Sequence, residues 1–236
     1  MKYHLVPVKN VLKLRSGLDA LRNREAGIPG LGLLYGKPGT GKTMTLAETV
    51  ANTDAIFFRA NSTFTLGTLL DAICQSLKVS VHGKSFEKLA TICQMLRDQP
   101  RAIIVDEGDY LLRDPRMLEV LRDIHDIENV PVLLVGMADI DTKLIRRPQF
   151  SRRITQRIKF EPCDLADTRL VTETLCEVEI AEDLLLSMHK ATQGVLGLVV
   201  PALAGFERFA KSHRMKVLEA EAWGDRAMFL GHGQER

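Results

Sequence analysis

Up to Phe160 the apolar residues follow two alternating rhythms. Val11, Leu14, Leu18 and Leu21 recur every three or four positions, which predicts a helix over Val11–Arg24. Gly27-Ile28-Pro29-Gly30 breaks it, and Leu31–Tyr35 then reads as a buried strand entering a glycine-rich turn. Further strands are expected at Ala55–Arg59, Arg101–Asp106, Val130–Val135 and Ile154–Phe160. Helical spacing predicts Lys42–Ala51, Leu66–Leu77 and Phe86–Leu96. Asp114-Pro115, an N-cap followed by proline at the first helical position, opens another helix that runs to about Ile127. The run Ala102-Ile103-Ile104-Val105 is apolar throughout, as a strand covered on both faces requires.

Alternating strands and helices predict an α/β fold with a mostly parallel, five-stranded sheet. Past Pro162 the rhythm changes. Leu165–Cys176, Ala181–Thr192, Leu198–His213 and Glu219–Leu230 all read as helices, with no strand among them. The expected organisation is a domain over 1–162 followed by a small helical domain over 163–236.

Two motifs carry chemistry on this framework. Gly36-Lys37-Pro38-Gly39-Thr40-Gly41-Lys42-Thr43 fits G-x-x-x-x-G-K-[ST], lying between a predicted strand and a predicted helix. Glycines let the backbone close around phosphates, and the helix N-terminus favours anions. Lys42 is expected to reach the β- and γ-phosphates of ATP, Thr43 to bind Mg²⁺ through its hydroxyl, and Met44 to complete the binding segment. The strand Ile103-Ile104-Val105 delivers Asp106 and Glu107. Asp106 suits the magnesium shell and Glu107 the role of general base toward water. An acid pair of this kind favours hydrolysis coupled to conformational change; the bland alternative is a solvated acidic loop that includes Asp109.

Charge and cysteine usage narrow the picture further. Net charge is +2, but residues 131–163 carry seven basic and three acidic groups, whereas residues 164–236 carry eight basic and twelve acidic. A basic body of this kind is compatible with a polyanion partner. Cys74, Cys93, Cys163 and Cys176 form no C-x-x-C pair, so buried reduced thiols are expected rather than zinc. No apolar run reaches membrane-spanning length, and the N-terminal residues lack a signal-like apolar core. The expected location is the cytoplasm, without a membrane partner.

The two motifs, followed by helices, resemble the Walker A and Walker B elements and lid of the AAA+ family. Within it, the Ala55–Ser62 run resembles the second strand of the initiator-like and transposition ATPases, and Arg152-Arg153 before the fifth strand and Gly194-Val195-Leu196-Gly197 resemble the MuB/TnsC (TniB-like) transposition ATPases. The resemblance places Asn61 as a restraint on Glu107, with an ordinary turn asparagine as the alternative. It makes Arg152 and Arg153 candidate trans-acting arginine fingers, Arg153 preferred, against a solvated or DNA-binding basic turn. Two departures stand out. Met137 occupies the place of a polar sensor residue, so that either Asp139 substitutes for it or sensing is weak and hydrolysis slow, and no arginine opens the helix after Gly197.

The resemblance implies an ATP-dependent DNA-binding regulator that selects target DNA for a transposase and assembles on duplex DNA as a filament or ring. The alternatives are a helicase-loader or initiator-like ATPase, or an ATP-gated protein-interaction module. Lys78, Lys84, Lys88, Arg113 and Arg116 are candidates for contacts to DNA phosphates, each with a solvated surface charge as its alternative. Val8 and Val11 are candidates for apolar contact with adenine, although any buried helix carries the same stripe.

Overall fold

The strands of the sheet divide by parity. In the computed structural model, which describes residues 1–2, 4–51 and 53–228, Leu31, Leu33, Ile103, Val105, Val132 and Leu134 enter one apolar cluster. Leu34, Ile104, Leu133 and Val135 enter another. Successive side chains of a strand point to opposite faces, so an unbroken apolar run fills two cores at once.

The elements that supply these faces are α1 (Lys9–Arg22), β1 (Leu31–Gly36), α2 (Lys42–Ala51), β2 (Ile56–Arg59), α3 (Leu66–Ser76), α4 (Ser85–Asp98), β3 (Ile103–Asp106), α5 (Pro115–Glu128), β4 (Val132–Gly136) and β5 (Ile154–Phe160). Leu14, Leu18 and Leu21 of α1 and Leu46 of α2 cover one face. Leu69, Leu70 and Ile73 of α3, Ile92 and Leu96 of α4, and Leu118, Leu121 and Ile124 of α5 cover the other. The five strands run parallel in the order β2-β3-β4-β1-β5. The fold is thus an α/β P-loop core, as the alternation predicted.

The described chain divides into two compact units. Lys13–Gly36 and Lys42–Phe160 make the sheet unit. Met1–Leu12, Lys37–Gly41 and the chain from Glu161 onward make the other. The second unit contains α8 (Leu165–Leu175), α9 (Glu182–Thr192) and α10 (Leu196–Ser212) around Val171, Leu184, Met188, Val199, Leu203 and Phe206.

Several elements depart from expectation. The helix predicted over Glu219–Leu230 is only α11, Ala220–Trp223. Gly224, at φ +63°, ends it, and Leu230 lies outside the described residues. Glu179–Ile180 (β6) and Val217–Leu218 (β7) pair in parallel, two residues each, too short to show a period of two in sequence. Between β4 and β5 lie α6 (Ile140–Ile145) and α7 (Pro148–Ser151), again below the length at which helical spacing is readable. A 3₁₀ turn over Gly108–Arg113 follows β3. Among the described residues no helix is long and apolar enough to cross a membrane.

Candidate functional site

β1 ends at Gly36, and the chain turns through Lys37–Gly41 into α2. Gly39 sits at φ +75°, a conformation L side chains rarely adopt, and a Cβ there would lie 2.9 Å from Val195 Cγ1. Its carbonyl accepts the Gly197 N–H at 2.9 Å, and the Thr40 hydroxyl donates to the Lys37 carbonyl at 2.8 Å. Lys42, the first residue of α2, donates from Nζ to the Gly36 carbonyl at 2.7 Å. Burial lowers the Lys42 pKa, while the charges of Glu107, Asp106 and Asp109 oppose that shift. A cation so placed, at a helix N-terminus, is set for a polyanionic ligand.

β3 and β1 are not neighbours, because β4 lies between them. Even so, the aligned strand ends bring the Thr43 hydroxyl within 3.3 Å of Asp106 Oδ2. Asp106 is buried. Its Oδ1 accepts the Glu107 N–H at 3.0 Å. Oδ2 also accepts Arg59 Nε at 3.0 Å and Nη2 at 2.9 Å. Glu107 itself stands at φ +55°, ψ +38°, a left-handed conformation uncommon for glutamate. The adjoining hydroxyl and carboxylate are hard oxygen donors, and the pair fits magnesium, which uses one or two protein ligands and takes the rest from water and phosphate. The described residues contain no cluster of three or more His, Cys, Asp or Glu groups that would make an all-protein cage.

The tip of β4 is organised by Asp109, which entered the sequence reading only within the alternative of a solvated acidic loop. Asp109 Oδ2 accepts the Met137 N–H at 2.7 Å. A Cβ on Gly136 would lie 2.5 Å from the same oxygen, so a larger residue there would displace the Asp109 carboxylate. Asp109 Oδ1 is buried without a hydrogen bond and stands 3.6 Å from Lys143 Nζ. Asp139, proposed as the substitute sensor, instead holds Lys143 at 2.8 Å, a hydrogen bond that lowers its pKa.

The other sequence candidates have their own partners. Asn61 Oδ1 accepts the Thr63 N–H at 2.9 Å and the Thr63 hydroxyl at 2.7 Å, a local turn. Arg153 grips Asp126 with two bonds, Nε at 2.9 Å and Nη2 at 2.7 Å, whereas Arg152 is exposed with no side-chain partner among the described residues. Lys88 pairs with Asp71, and Arg116 with Asp114 at 2.8 Å. Arg113 stacks on Tyr110 and donates to the Ser62 carbonyl. Lys78 and Lys84 are exposed. Val8 and Val11 are buried with Cys163, Val199 and Leu203. Met44 is exposed on α2. All four cysteines are buried free thiols, and burial pushes Cys163 to about 12 and Cys176 to about 11. α10 begins on Leu196-Gly197-Leu198-Val199-Val200, without an arginine.

Sequence reasoning missed Arg59 and Asp109. Arg59 had one readable signal, a cation closing an apolar strand, but only the register Arg59↔Asp106 between β2 and β3 gives it meaning.

An AAA-domain family model matches residues 27–144, half of the chain. No curated protein matches. Among solved structures, the chain is similar to the Aeropyrum pernix ORC2 protein in ADPNP–ADP complexes, with TM-score 0.72 and 17% identity, covering 94% of this chain and 68% of that one. It is similar to Cdc6p from Pyrobaculum aerophilum, with TM-score 0.63 and 20% identity, covering 89% of this chain and 63% of that one. It is also similar to the Aeropyrum pernix ORC1 protein in complex with DNA, with TM-score 0.62 and 21% identity, covering 90% and 62%. The chain spans about two thirds of the length of these structures. At such identities the likeness is one of fold alone, and the resemblance to the MuB/TnsC transposition ATPases gains no support from it.

Proposed function

The chain belongs to the AAA-domain family, and on that premise we propose that it is a magnesium-dependent, initiator-like ATPase that switches nucleotide state while bound to duplex DNA. The observation that carries the ATPase reading is the 3.3 Å approach of Thr43 to Asp106 beside Glu107 and Lys42. Lys42 and the loop N–H groups bind phosphate, Thr43 and Asp106 hold the metal, and Glu107 accepts a proton from the attacking water. The metal supplies charge neutralisation on the phosphates.

The DNA reading rests on the similar solved structures, one of which is a complex with DNA, and on exposed cations. Lys78, Lys84, Arg146, Arg147 and Arg152 are exposed and carry no ion pair among the described residues. Contacts through such groups neutralise backbone phosphates without reading sequence. Arg152, exposed before β5, is the better finger for a neighbouring copy, because Arg153 would first have to release Asp126.

A second reading, target selection for a transposase, is favoured by the Gly194–Gly197 entry into α10 with no arginine there. One experiment serves both readings: ATP binding and phosphate release with and without duplex DNA, over a salt series, with Lys42→Ala as the control. An initiator-like switch binds DNA with ATP and loses affinity steeply with salt. Nucleotide binding unaffected by Lys42→Ala ends the ATPase reading, and indifference to DNA at low salt ends both DNA readings.

A further inference from the structure

Asp106 is a buried carboxylate with an exposed guanidinium closed over it. Arg59 reaches Asp106 Oδ2 through Nε at 3.0 Å and Nη2 at 2.9 Å, the same oxygen that faces the Thr43 hydroxyl at 3.3 Å. The carboxylate side chain is 3% exposed and the arginine side chain 54%. The two residues are register partners across β2 and β3, so the backbone fixes the pairing and the long side chain spans only one strand spacing.

We propose that Arg59 is a positioning residue of the metal site, a built-in cation that holds Asp106 in the metal-free protein and releases it when metal and nucleotide arrive. This rests on the ATPase reading above. A buried carboxylate left without a partner is costly, and Arg59 removes that cost while the site is empty. The two donors converge on the oxygen nearest Thr43, so Arg59 and the metal compete for one acceptor. Competition means the pairing weakens metal binding in proportion to its own strength. Because the guanidinium is half in solvent, letting go needs only a rotamer change and leaves a well-hydrated cation beside the phosphates. Arg97 over Glu128 shows the same asymmetry of exposure, so what sets the Arg59 pair apart is the shared Asp106 Oδ2 facing Thr43.

The test is the magnesium dependence of mant-ADP binding to the full chain, with no turnover involved. In Arg59→Ala the magnesium concentration for half-maximal binding falls about tenfold, the size of one charge-assisted hydrogen bond. Arg59→Lys, which keeps the charge, stays near wild type, and Arg59→Gln shifts in the same direction as alanine and covers the case in which alanine does not fold. A second arm needs no nucleotide: MgCl₂ alone raises the melting temperature of Arg59→Gln more than that of wild type. An unchanged or increased magnesium requirement in the folded variants, with equal magnesium-induced melting shifts, overturns the proposal. If the wild type itself binds no nucleotide, the ATPase reading fails separately, and the melting arm still decides the competition for Asp106.

Discussion

Thr43 Oγ1 and Asp106 Oδ2 stand 3.3 Å apart although 63 positions separate them in the chain. Thr43 opens α2 after β1, and β4 lies between β1 and β3, so neither strand pairing nor sequence proximity makes this contact. It arises because β1, β4 and β3 end at one edge: Tyr35 is level with Gly136, and Val105 with Leu134. Thr43→Ala removes the hydroxyl donor and leaves Asp106 with Arg59. The expected result is a magnesium requirement for mant-ADP binding raised about tenfold, opposite in sign to that of Arg59→Ala. An unchanged requirement would show that Thr43 is no part of the metal site.

Glu107 occupies a left-handed backbone position on the residue after Asp106. Glu107→Gln keeps the backbone and the shape but removes the base. Nucleotide affinity should stay within about twofold while phosphate release falls about 10²–10⁴-fold. Parallel equilibrium binding and steady-state phosphate assays separate the two effects, and a variant that hydrolyses ATP at the wild-type rate removes Glu107 from the mechanism.

Arg152 and Arg153 are adjacent in sequence and differ in engagement. Arg153→Ala breaks a two-bond pair with half-exposed Asp126, so its main effect should be on stability, about 1 kcal/mol or a melting shift of about 2–4 °C. Arg152→Ala should leave melting unchanged and lower turnover in the assembled state by about 10³-fold, if a neighbouring copy uses it as its finger. Melting curves and turnover against protein concentration distinguish them. The reverse pattern would reassign the finger to Arg153.

His125 is a buried base at the end of α5. Its Nδ1 donates to the Val130 carbonyl at 2.8 Å, which makes Nε2 the acceptor for the Gly30 N–H at 3.1 Å. Burial lowers its pKa below the ordinary 6.5. The unfolded chain therefore takes up a proton at a pH where the folded chain does not, and acid favours unfolding. The stability linked to His125 is complete above pH 6.5 and is lost as the pH falls below that value toward the depressed folded pKa. Melting temperatures from pH 7.5 to 5 should decline in wild type and flatten in His125→Gln, which is less stable at pH 7.5. Equal slopes in the two proteins would place the pH dependence elsewhere.

Local chemistry made much of this protein readable from its residues in order. The G-x-x-x-x-G-K-[ST] run and the apolar strand ending in Asp106-Glu107 each contain their meaning within a few positions, because phosphate cradling and strand burial are short-range demands. Strand parity was readable too, since an apolar run such as Ile103-Ile104-Val105 has to be covered on both faces. What the tertiary structure decided depends on which strands lie side by side and how they register. Register aligned Arg59 with Asp106, while packing of the connecting segments brought Asp109 under the Met137 N–H and tied Arg153 to Asp126, leaving Arg152 with no side-chain partner among the described residues. A charged side chain has the same composition whether it is solvated, paired or poised at a site. Only the distance to its partner, fixed by the packing of strands, helices and turns, separates those roles.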